Sequence, residues 1–187
     1  MSGPSRPGRG RRERCRLVPA SPLEAVEKAL RIMAKRSEVK VCLAASAGGH
    51  LSQLRKVAAA WAGMPTFWVT TGHMVSGSLG ESGRVYAVGE CNREHPLRLI
   101  AVLSRCIRIV LKERPSLVIS TGAAPGCLMC LLGKLTGAKV VWLDSITNVE
   151  RLSLSGRLIR PFADLLLVQW PELAKKYSNA EYVGSVI

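Results

Sequence analysis

Acidic residues are scarce in this 187-residue chain: 13 Asp and Glu stand against 27 Lys and Arg, a formal net charge of +14. Such a balance suits an anionic partner, whether a membrane surface, a nucleic acid or a phosphorylated substrate. Aromatic residues are also few, at 5%, and several fall inside predicted strands. This weighs against nucleic-acid binding, in which a basic groove is normally interleaved with aromatics that stack on bases. The three histidines, His50, His73 and His95, lack the spacing of a metal site, so no metal is expected. Neither G-x-G-x-x-G nor G-x-x-x-x-G-K-[ST] occurs, which removes most support for a dinucleotide or P-loop enzyme, and no cofactor is expected. A basic nucleic-acid-binding protein and a nucleotide-dependent oxidoreductase remain as alternatives. The apolar, uncharged stretch of residues 115–133 is broken by "STGAAPG" into a strand, a turn and a helix, and is no membrane span. No secretory signal is recognised and no internal repeat occurs. The six cysteines lie mostly in apolar runs, where cysteine packs as a small hydrophobe, so a reducing, cytosolic setting is expected. Cys127 and Cys130 of "CLMC" lack the second pair that zinc requires and are assigned to the core.

What is present fits one domain, given the length and 48% apolar content. Residues 1–20 carry six Arg among Gly and Pro, a composition that cannot bury a core and is expected to form a disordered basic arm. Residues 21–36 read as an amphipathic helix, with Ser21 as cap, Pro22 in the first turn and Leu23, Val26, Leu30 and Met33 near one face. From residue 37 to 187, short β-rich runs alternate with longer helical ones. Strands are predicted near 39–46, 66–70, 84–88, 116–121, 139–143, 163–169 and 181–183, with helices near 51–62, 96–113, 125–136, 153–160 and 171–177. The expected fold is α/β, a Rossmann-like parallel sheet with helices on both faces.

In such sheets the ligand lies beyond the carboxyl ends of the strands, where three loops are expected: "SAGGH" (46–50), "TGAAPG" (121–126) and "DSITNVER" (144–151). Gly48 and Gly49 permit close backbone approach, and the helix that follows offers free N–H groups to a phosphate. Gly122, Ala123, Ala124 and Gly126 repeat the device, which suggests one cleft shared by the two loops. Asp144 follows the buried strand "KVVWL" and is expected to point into that cleft, unless it serves as a cap or turn residue. His50 is either a functional group or a loop histidine satisfied by backbone.

The runs "SAGGHLSQL", "STGAAPG" and "WLDSITNVERLSLSGRLIRPFADLLLVQWPELAKKYSNAEYVGSVI" resemble the acceptor-side, membrane-associated subunit of two-subunit glycosyltransferases. That family includes the recruiting subunit of the eukaryotic transferase that adds the second N-acetylglucosamine to a dolichol-diphosphate sugar, and bacterial capsule and exopolysaccharide relatives. The resemblance, over roughly residues 39–187, implies the N-terminal, acceptor-binding half of a GT-B enzyme. It would be active only with a small partner that binds the nucleotide sugar. It further implies that backbone at Gly48, Gly49, Thr121, Gly122 and Ala123 holds the diphosphate of a polyprenyl-linked sugar, with His50 beside the sugar. Asp144 and Ser145 stand where relatives often carry Glu-Ser. Asn148 replaces a frequent arginine, with Arg151 three positions on, so Ser145 and Arg151 are the acceptor-binding candidates of the third loop. His50 or Asp144 would act as general base for an inverting transfer.

Residues 97–113 supply a membrane candidate. Leu99, Ile100, Leu103, Cys106, Ile107, Val110 and Leu111 make a broad apolar face, with Arg98, Arg105 and Lys112 at heptad spacing on the other side, and Arg98, Arg105 and Arg108 would meet lipid phosphates at an anionic surface. A core helix with a solvated basic edge is the alternative. Together these features predict peripheral attachment at the cytoplasmic face of a membrane.

Overall fold

A computed structural model describes residues 39–72, 83–90 and 96–186. The basic arm, the 21–36 helix, His73 and His95 lie outside the described residues. Seven strands, β1 (Val41–Ala44), β2 (Thr66–Thr70), β3 (Arg84–Ala87), β4 (Leu117–Ser120), β5 (Lys139–Leu143), β6 (Leu165–Val168) and β7 (Ala180–Tyr182), form one sheet. Their order is β3-β2-β1-β4-β5-β6-β7, and every pairing is parallel. The helices are α1 (Gly49–Ala58), followed by a 3-10 turn (Ala59–Trp61), α2 (Pro96–Glu113), α3 (Ala123–Leu135), α4 (Leu154–Ile159) and α5 (Pro171–Lys176). Each predicted strand and helix from residue 39 onward is therefore present, and the fold is the expected Rossmann-like sheet.

The uninterrupted apolar strands follow from burial on both faces. One core layer joins Cys42, Phe67, Val118 and Trp142 to Val102, Cys106, Met129 and Cys130. The other joins Leu43, Trp68, Ile119 and Leu167 to Leu51, Leu54, Trp61 and Val186. Helix α3 lies against β1, β2, β4 and β5. Its close approach depends on Gly126, where a Cβ would strike the Ser120 side chain. Cys130 is fully buried and Cys127 nearly so. Burial pushes the Cys127 thiol up to about 11, so these cysteines pack rather than react.

Helix α2 faces differently from the expectation. Val102, Cys106, Ile109 and Val110 are buried, whereas Leu97, Leu99, Ile100, Ile107 and Leu111 are exposed. Its apolar residues run almost all the way round, so periodicity alone does not choose the inner face. Two polar contacts do. Arg105 donates to the Val88 carbonyl at 2.7 Å, and Glu113 turns inward to meet Lys40, Arg84 and Tyr86.

That Glu113 cluster ties the amino ends of β1 and β3 to the end of α2, at the sheet edge opposite the loops that follow the strands. Burial alone would raise the carboxyl pKa, but hydrogen bonds from Lys40, Tyr86 and Arg84 outweigh it and hold Glu113 at about 2. A depressed carboxylate contributes stability that is present above its unfolded pKa of about 4.3 and is lost as pH falls through the folded value. Glu113→Gln should therefore be less stable than the parent by about 1–2 kcal/mol at pH 6, a difference that fades between about pH 4 and pH 2. Urea denaturation across that range measures it; a difference independent of pH would mean that packing, not charge, holds this corner.

Candidate functional site

The strand order reverses between β1 and β4, and the loops leaving these two strands carry the central side chain. His50, second residue of α1, places Nδ1 2.9 Å from the Thr121 carbonyl. In return the Thr121 hydroxyl donates to the His50 carbonyl at 2.6 Å. A carbonyl only accepts, so Nδ1 carries the hydrogen and the neutral ring keeps its lone pair on Nε2. Gly122 makes room for the imidazole. It has φ 139° and ψ −171°, and a Cβ there would lie 2.5 Å from His50 Cε1. The two loops thus form one interlocked unit at the switch point of the sheet.

Two cavities meet at the start of α3, where Ala123 and Ala124 line both. The larger, about 550 Å³, has His50, Ser145, Thr147, Asn148, Ser153 and Ser155 among its walls, with Leu99, Cys127, Leu128, Leu154 and Leu158 supplying the apolar ones. The smaller, about 310 Å³, is lined by Ser46, Ala47, Thr71, Glu90, Arg98 and Pro125 besides the two alanines. Hydroxyls and one imidazole beside leucines suit a sugar, which presents both hydrogen-bonding edges and apolar faces.

The other expected site residues are distributed as follows. Ala123 and Ser145 join His50 on the larger cavity. Thr121 and Gly122 are buried and support His50 from beneath. Gly48, on the turn before α1, and Gly49, the first residue of α1, are exposed, with open space where a Cβ would stand. Arg151 is exposed and lines neither cavity.

Asp144 corrects the expectation that it points into the cleft. It does follow β5, but its side chain is 1% exposed and lines neither cavity. Oδ1 accepts from Trp142 Nε1 at 3.1 Å and from Ser153 Oγ at 2.6 Å; Oδ2 accepts from the Ser153 amide at 3.0 Å. Ser153 Oγ in turn accepts from the Gly156 amide, capping α4. A carboxylate with three donors is better used closing a loop than taking a proton, so the turn-and-cap alternative is the one the structure realises.

The arginines expected at a membrane also separate. Arg98 lines the smaller cavity, Arg105 is held by Val88, and Arg108 is exposed beside the outward apolar residues of α2. The sequence reading passed over Glu90 and Thr71, isolated residues in no motif. It also missed Gln169 and Trp170, which hold the third loop through the Asp144 and Ile146 carbonyls. Their signal in the sequence is the run "VQWPEL", which lies within the segment that resembles the family.

The family model described as "Oligosaccharide biosynthesis protein Alg14 like" matches residues 78–186. The UDP-N-acetylglucosamine transferase subunit alg14 of Schizosaccharomyces pombe is 43% identical over 77 residues, 38% of this chain and 37% of its own length. The corresponding ALG14 subunit of Mus musculus is 39% identical over 85 residues, 42% of this chain and 39% of its own. The matched stretch thus spans well under half of these curated relatives. Among solved structures, Acinetobacter baumannii MurG superposes with a TM-score of 0.65 at 17% identity, over 79% of this chain and 46% of that one. The UDP-GlcNAc 2-epimerase of Methanocaldococcus jannaschii gives 0.59 at 12%, over 79% and 46%. At these identities the structural likeness speaks for the fold alone.

Proposed function

We infer from this chain's membership of the Alg14-like family of oligosaccharide biosynthesis proteins that it is the acceptor-binding subunit of a heteromeric glycosyltransferase. It binds a polyprenyl-diphosphate-linked sugar at a membrane and recruits a second subunit that holds the nucleotide sugar. The observation that carries the reading is His50, anchored through Nδ1 to Thr121 and set on a sugar-sized cavity at the switch point. Nε2 takes the proton of the acceptor hydroxyl as its oxygen bonds to the anomeric carbon of the donor sugar. The bond from that carbon to the nucleotide diphosphate breaks, with inversion, and the nucleotide leaves on the partner. Buried Asp144 shapes the loop beside the cavity and takes no proton.

Membrane attachment is proposed through the outward face of α2. Leu97 is 80% exposed, Ile100 59% and Leu111 61%, and Arg108 stands among them. A strip of this kind buries apolar area at the headgroup boundary while arginine meets lipid phosphate. No helix among the described residues is long and apolar enough to cross a membrane, so the attachment proposed is peripheral, at the cytoplasmic face.

The test is reconstitution. With UDP-GlcNAc and a GlcNAc-diphosphate-polyprenol in vesicles, this chain alone should transfer no sugar. Adding a nucleotide-sugar-binding subunit should start turnover. Robust transfer by this chain alone would overturn the two-subunit reading, and transfer by the partner alone would remove this chain from the reaction.

A further inference from the structure

We propose that Arg98 binds the diphosphate of the lipid-linked acceptor in the smaller cavity, and that Glu90 across that cavity weakens its hold. The proposal rests on the reading above and assigns a role to two residues outside the glycine loops.

Arg98 is the one cation among the described residues that line this cavity. Unlike Arg105, which is spent on the Val88 carbonyl, its guanidinium has no hydrogen-bond or ion-pair partner among the described residues. Arginine presents a planar fork of donors that matches phosphate oxygens. Two hydroxyls on the cavity can donate too. Thr71 Oγ1 already accepts from the Ala47 amide at 3.0 Å, which leaves its hydrogen to donate, and Ser46 adds a second hydroxyl. The 13-residue helix α3 begins at Ala123 on the cavity wall, with the unpaired amides of its first turn.

Position identifies which diphosphate. Across the Ala123–Ala124 wall lies the larger cavity with His50. Beside Arg98 in sequence, Leu97 and Ile100 begin the exposed apolar strip that continues to Ile107 and Leu111. Helix α2 thus borders both cavities, with Arg98 on the smaller and Leu99 on the larger, and its exposed apolar residues offer a path for a prenyl chain attached to a diphosphate at Arg98. A nucleoside diphosphate would set a polar base and ribose where the strip offers leucine and isoleucine. Glu90 is the discordant group: a carboxylate on the same cavity repels the ligand and should limit affinity, easing product release.

The full chain, purified without its partner, is titrated calorimetrically with farnesyl diphosphate, UDP and inorganic pyrophosphate. Farnesyl diphosphate should bind most tightly. Arg98→Gln should weaken it tenfold or more, Glu90→Gln should tighten it several-fold, and Lys175→Gln, the same charge change at an exposed site on α5, should leave it unchanged. Circular dichroism checks that each variant is folded. Failure of farnesyl diphosphate to bind, unchanged affinity in Arg98→Gln, no tightening in Glu90→Gln, or equal affinity for UDP each overturns the assignment. These outcomes are separate from the transferase reading: turnover in the reconstituted complex with an unaltered acceptor KM in Arg98→Gln would sink this proposal alone. Diphosphate binding through Arg98 without any turnover would sink the transferase reading alone.

Discussion

His50→Ala should lower kcat of the reconstituted transferase by about 10²-fold or more while leaving the acceptor KM little changed, the pattern of a lost proton acceptor. The geometry supports this division because, among the described residues, the ring's one hydrogen bond runs through Nδ1 to Thr121. That bond fixes the imidazole and leaves Nε2 for chemistry. Asp144→Asn is the control. It should cost stability, on the order of 1–3 kcal/mol, because an amide cannot accept from all three donors now served by the carboxylate. It should leave turnover near the parent's at temperatures where the protein stays folded. Near-normal turnover in His50→Ala would reduce the histidine to a staple between two loops. A collapse of kcat in well-folded Asp144→Asn would move the base to the acid despite its burial.

Gly122→Val should abolish activity as thoroughly as removing His50, and for a different reason. At φ 139° a side chain is strained by about 1–3 kcal/mol, and its Cβ would sit 2.5 Å from Cε1 and 2.7 Å from Nδ1 of His50. The ring has to leave, and the contact between the β1 and β4 loops goes with it. Thermal unfolding should record a lower Tm together with the lost turnover. Gly49→Val makes the contrast: its Cβ meets nothing, so Tm and the position of the His50 ring should hold. Wild-type turnover in Gly122→Val would show that the imidazole position is unimportant.

The sheet was legible because each strand is a short β-rich run set between helical periods, a pattern that survives without any long-range information. The edge carrying the site followed from topology alone. Side-chain direction did not. Asp144 occupies the position expected of a cleft acid, yet whether a carboxylate turns outward or back depends on donors such as Trp142 and Ser153, which local pattern does not place. The face of α2 was misjudged for a related reason: with apolar residues nearly all round, its rotation is set by Glu113 and Arg105 reaching distant partners. Arg98 looked like its neighbours Arg105 and Arg108 in sequence, and only the fold sends the three to different surroundings. His50 stands out in the sequence by its place after the glycine pair, but its lock to Thr121 joins residues far apart in the chain.

The register that sets Val41 beside Leu117 and Ala44 beside Ser120 also governs how the protein comes into being. Strand β1 is central, yet one of its edges has no neighbour until β4 has been synthesised. At about 5–20 residues per second, the growing chain spends several seconds with β1, β2 and β3 available to pair while a row of amide and carbonyl groups of β1 stays open. An open parallel edge of this kind invites pairing with other chains, and non-local parallel pairing is slow to complete. The arrangement that brings the His50 and Thr121 loops together at the centre of the sheet thus also makes the middle of synthesis the interval of greatest exposure to aggregation.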